Sequence, residues 1–186
     1  MNAIKFAGIL TLTTVIIPAN VFSVSYQEVV SVEYKVKAAF LFNFSQFIEW
    51  PEIGFTEVHS PFAIGILGEK NPFGTYLDEI VSGEQIAGHP LVVRHFHKLE
   101  EITACNILFV SITNATQLKT ILESLKDRSI LTVGEHPSFI RYGGIVRLFV
   151  DEGRLRVQIN PSAAKSSGLN ISSKLLRVAD IVEPKG

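Results

Sequence analysis

The longest periodic run beyond the leader is Tyr34 to Pro51, YKVKAAFLFNFSQFIEWP. Val36, Ala39, Phe40, Asn43, Phe47 and Ile48 recur at spacings of three and four, which predicts one face of a helix. Leu41, Phe42 and Phe44 lie off that stripe and are apolar too. A helix apolar on more than one side is usually covered on more than one side. The run is therefore read as a core helix, with a surplus side, Phe42 and Phe44, available to a partner. Asn43 sits on the stripe, which predicts a buried, hydrogen-bonded polar residue. Pro51 ends the helix, because a residue before proline leaves the helical region.

Beyond this helix, short apolar runs alternate with helical patterns. Phe62 to Leu67 (FAIGIL), His89 to Phe96, Ile107 to Val110 and Ile130 to Val133 read as strands. Pro72 to about Val81 reads as a short helix. Ser111 to Lys126 reads as another, with Asn114 and Gln117 suited to its cap and Leu118, Ile121, Leu122 and Leu125 facing the core. Gly144 to Val150 and Leu155 to Ile159 flank Asp151-Glu152-Gly153, a hairpin composition. Asn160-Pro161 starts a short helix, and Ser172 caps a last one. Strands alternating with helices predict one α/β domain. Its sheet is mixed and mainly parallel, with helices on both faces and a C-terminal antiparallel hairpin.

The first 23 residues change the setting. Lys5, the apolar run Phe6 to Ile17, Pro18 and the small residues near Ser23 read as a cleaved signal peptide, with Ala19 and Ser25 as alternative cleavage positions. The domain is then residues 24–186, exported, with no later stretch that reads as a transmembrane span. Removing Lys5 takes the 17 basic residues to 16 against 18 acidic ones, a formal −2. That balance gives no basic footprint for nucleic acid. Cys105 is the single cysteine, so no internal disulfide forms, and its place before an apolar strand predicts burial.

Open α/β sheets bind ligands beyond the carboxyl ends of their parallel strands. Those ends are 68–73, 111–114 and 134–136. Gly68, Asn71, Phe73, Ser111 and Asn114 are the candidate ligand-binding residues, although the same types serve ordinary turns and caps. Arg147, Arg154 and Arg156 cluster on the closing hairpin, with Arg154 and Arg156 on one strand face. They suit either a docking surface or a charged guard against strand-edge pairing. His89, His95 and His97 lack the further ligands that a metal site requires. No motif for a nucleotide, a cofactor or a nucleophile is present, so no catalytic residue is assigned.

Six stretches occur in order: the helix 34–51, GILGEKNPFG, CNILFVS, LTVGE, GGIVRLFVDEGRLRVQIN and GLNISSKLLRVADIV. Together they resemble the YfiR family over nearly the whole mature chain. The resemblance implies a periplasmic α/β protein that is not an enzyme and carries no cofactor. It also implies repression of an inner-membrane diguanylate cyclase through that enzyme's periplasmic sensor domain, so that release raises cyclic di-GMP and favours biofilm. A homodimer is implied as well. The family's best-known member carries disulfides tied to redox state, which a chain with Cys105 alone cannot share. The alternative is a periplasmic small-molecule sensor serving another receptor or kinase.

Overall fold

The computed structural model describes residues 26–51 and 60–183, so the expected leader lies outside the described residues. Helix α1 (Tyr26–Phe47) leads into a two-residue strand, β1 (Ile48–Glu49). There follow β2 (Phe62–Leu67), α2 (Tyr76–Val81), β3 (Gln85–Ile86), β4 (His89–Phe96), β5 (Ile107–Val110) and α3 (Ala115–Leu125). The chain continues through β6 (Leu131–Gly134), β7 (Val146–Asp151), β8 (Arg154–Ile159), α4 (Pro161–Ser166), β9 (Asn170–Ile171), α5 (Ser173–Leu176) and β10 (Asp180–Ile181).

Eight strands form one sheet in the order β10-β8-β7-β6-β5-β2-β4-β3. From β4 to β7 all neighbours are parallel, β7 and β8 make an antiparallel hairpin, and β10 runs parallel to β8. The expected mixed, mainly parallel α/β sheet is what the chain forms. Every residue of β2, β5 and β6 is buried. Continuous apolar runs give that result when both faces of a strand are covered. On one face Ile64, Ile66, Ile107, Phe109 and Val133 pack with α1, α2, α4 and α5. On the other, Leu67, Leu108 and Val110 pack against Leu118, Ile121, Leu122 and Leu125 of α3. The α3 stripe matches its spacing, and Asn114 accepts a hydrogen bond from the Gln117 amide at 2.9 Å as the N-cap. The hairpin turns at Glu152 and Gly153, both at positive φ, as the primed turns that match strand twist require.

Helix α1 corrects the expectation. Its buried residues are Lys37, Ala38, Leu41, Phe44, Ser45 and Ile48 at its end, whereas Val36 is 41% exposed and Asn43 is exposed. Asn43 is thus not a buried structural residue. The spacing fits two stripes on a helix apolar on more than one side, and the sheet accepts the one carrying Leu41 and Phe44. The helix ends at Phe47 rather than at Pro51, because Ile48 and Glu49 leave it to pair antiparallel with Ile171 and Asn170 of β9.

Candidate functional site

From β2 the chain crosses through α2 to β4 on one side, then returns to β5 on the other side of β2. The carboxyl ends of β2 and β5 therefore diverge at a topological switch point, where this architecture leaves a crevice. A groove of about 250 Å³ lies one strand along, at the carboxyl ends of β5 and β6, lined by Tyr34 of α1, Ser111 to Thr113 after β5, and Glu135 to Pro137 after β6.

Two of the groove's lining residues, Tyr34 and Glu135, belong to an ion network. Lys37 is 2% exposed, and its ammonium group pairs with Glu33, one turn earlier on α1, and with Glu135 at the end of β6. Tyr34 donates its hydroxyl to the other oxygen of Glu135 at 3.0 Å. The Lys37 nitrogen also lies 4.6 Å from the centre of the Tyr34 ring. A lysine is removed from water at high cost unless charges and a π face replace its hydration, and here both do. These groups answer one another, so the network works as a latch between α1 and the end of β6.

The five ligand candidates have different fates. Ser111 is half-buried and lines the groove. Gly68 is buried beneath it: a Cβ there would stand 2.9 Å from the Ser111 carbonyl oxygen, so the close approach of the two loops requires glycine. Asn71 is committed to its own turn, accepting from the Phe73 amide at 2.9 Å and donating to the Gly74 carbonyl at 2.6 Å. Phe73 is core, its ring 4.8 Å from that of Phe109 and 5.6 Å from that of Tyr34. Asn114 caps α3 at the surface. Tyr34, Lys37 and Glu135 were not among the candidates. Nothing local in the sequence pairs residues 98 and 101 positions apart.

Of the partner candidates, Phe44 is corrected. It is 1% exposed and belongs to the core, because α1 turns this side to the sheet. Phe42 is half-buried and packed on the edge of that core. Arg154 and Arg156 are exposed. Strand register places Arg147 beside Gln158 and Phe149 beside Arg156. This row lies on the α3 side of the sheet, since Gly134 pairs with Arg147 and Val110 with Gly134. Arg156 pairs with Asp180 of β10 at 3.1 Å. The Arg147 guanidinium lies 4.6 Å from the centre of the Phe149 ring. It donates to the Gln158 side-chain oxygen at 3.0 Å and to the Glu135 carbonyl at 3.3 Å. Partial burial holds the pKa of Arg147 below the usual guanidinium value. The groove and the arginine row thus meet at Glu135, whose side chain takes Lys37 and whose carbonyl takes Arg147.

His95 and His97 face solvent, while the Nδ1 of His89 lies 2.7 Å from the Ser60 carbonyl. Glu49 is exposed and accepts from the Asn170 amide group at 2.8 Å. No described helix is long and apolar enough to cross a membrane.

A comparison with curated proteins gave no match. The family profile described as YfiR/HmsC-like matches residues 34–180. Its first matched residue is Tyr34 and its last is Asp180, the partner of Arg156, so Tyr34, Lys37 and Glu135 of the latch and the arginine row lie within the matched region, and Glu33 lies one position before it. With most of its length under that profile, the chain belongs to the YfiR/HmsC-like family.

Proposed function

We propose that this protein is exported to the periplasm, where it binds and represses the periplasmic sensor domain of an inner-membrane diguanylate cyclase. Its loss then raises cyclic di-GMP and favours biofilm formation. Family membership across residues 34–180 is the observation that carries this reading. The leader pattern of the first 23 residues supports export. The protein acts by contact rather than by catalysis, a reading supported by the engagement of Tyr34, Lys37 and Glu135 with one another. Repression requires unequal affinity for two conformations of the sensor domain. A shared thin compartment raises the effective concentration, so tight binding in dilute solution is not needed.

The test is deletion of the gene, with cyclic di-GMP measured in the single mutant and in a double mutant lacking the cyclase too. The level is expected to rise in the first and return in the second. An unchanged level in the single deletion under several growth conditions rejects the cyclase assignment.

The groove at the carboxyl ends of β5 and β6 favours a second reading, a small-molecule sensor serving another receptor or kinase. Ligand-induced thermal stabilisation of the purified protein, lost in Ser111→Trp, distinguishes it.

A further inference from the structure

We propose that the face of β7 and β8 bearing Arg147 and Phe149 receives a carboxylate side chain, aspartate or glutamate, from the protein partner. This rests on the reading that the protein works by contacting another protein's domain.

The cations of the described residues are unequally compensated: buried Lys37 has two carboxylates and exposed Arg156 has one. Arg94 and Arg128 are half-buried and donate to backbone carbonyls, whereas Arg147 lies over the Phe149 ring on the hairpin face. Arg147 is half-buried, yet among the described residues no carboxylate lies within ion-pair distance of it. Its hydrogen bonds go to two neutral oxygens, of Gln158 and of the Glu135 backbone. A guanidinium has five N–H donors, so donors remain after these two bonds. Partial loss of water leaves the cation undercompensated, and the depressed pKa has the same cause.

The surroundings suit a carboxylate on a protein better than a free ion. Phe149 lies against the guanidinium and is half-buried beside it. The row continues on β8 with Arg156 and, at the hairpin end opposite Asp151, Arg154. A guanidinium fixed on an aromatic ring offers a planar fork for a carboxylate and an apolar surface for the side chain's stem. Arginine and aromatic residues are also the types enriched at the centres of protein interfaces.

The experiment places p-benzoylphenylalanine at Asp151, on the same strand face, in the full-length protein expressed in its native host. Irradiation is expected to give an adduct with a different polypeptide. Arg147→Gln is expected to reduce that adduct about tenfold, and Arg147→Lys less than about threefold, since removing one member of a shielded charge pair is costly while a retained cation preserves part of it. The cross-linked peptide should contain aspartate or glutamate. Thermal unfolding of each purified variant checks its fold. If Arg147→Gln does not fold, Gln158→Glu takes its place, because it gives Arg147 a carboxylate of its own and should reduce the adduct by a similar factor with the arginine intact. An adduct of twice the chain's mass, one unaffected by these substitutions, or none at all overturns the proposal. Cyclic di-GMP in the deletion strain is read separately, so a partner other than a cyclase defeats the functional reading and leaves this contact standing.

Discussion

Lys37 is the residue on which the first part of the domain depends. Replacing it by methionine leaves Glu33 and Glu135 without their cation. Breaking a buried pair costs about 3–5 kcal/mol, and because both carboxylates keep about a third of their exposure we expect about 2–3 for Lys37→Met. Urea denaturation measures it, and adding Glu135→Gln should recover part of the loss, since the groups are coupled. Cys105 makes the opposite case. Its sulfur is turned inward to the Ile107 carbonyl at 2.9 Å, and burial pushes its pKa up to about 12. In the unfolded chain the thiol ionises near pH 8.5. The native state then keeps a proton that the unfolded state has lost. The contribution is complete below the unfolded value, and stability falls as pH rises from there towards 12. Wild type should therefore lose stability relative to Cys105→Ala above about pH 8.5, and native Cys105 should react with disulfide reagents only on unfolding. Cys105 is half-buried with its sulfur inward, so the burial expected from its position before an apolar strand is met in part. The burial of Lys37 was not legible, because its carboxylate partner lies far along the chain.

Among elements, α3 and α1 show when periodicity suffices. Helix α3 has one apolar stripe and polar residues elsewhere, so its spacing admits one orientation, and Leu118, Ile121, Leu122 and Leu125 are all buried. Helix α1 is apolar on more than one side, and local pattern cannot choose between the stripe of Val36 and Asn43 and that of Leu41 and Phe44. The sheet chooses Phe44, a decision made by tertiary fit. Phe44→Ala should then cost about 3–5 kcal/mol, whereas Asn43→Leu, on the exposed side, should change stability by less than about 0.5 kcal/mol. Denaturation curves for the two substitutions test the orientation directly, and a larger effect at Asn43 would reverse it. The crossover from β6 to β7 has no helix, and Phe139 fills the place of one. A Cβ at Gly144 would stand 2.2 Å from that ring, so Gly144→Ala should lower stability by about 1–3 kcal/mol through overpacking. Strands of two residues, β1, β3, β9 and β10, carry too few positions to show any period.

At the scale of the molecule, alternation of strands and helices was enough to predict a mainly parallel sheet, and the switch point follows from its order. The site was less legible than the fold. Turn and cap residues mark where strands end, but most of them are engaged in making the turns. Lys37 and Glu135 become neighbours only when the sheet is complete. That distance has a consequence for how the chain is made. Glu49 meets Asn170 at a separation of 121 positions, and Lys37 meets Glu135 at 98. A ribosome releases α1 before α2, which packs on it, and long before Glu135, which answers Lys37. Until then the helix is an uncovered apolar segment with unanswered charges, the kind of stretch that a holding chaperone binds and that aggregates without one. Closing the latch from Lys37 to Glu135 carries a larger loop-closure cost than packing α1 on α2, since the cost grows with the separation along the chain.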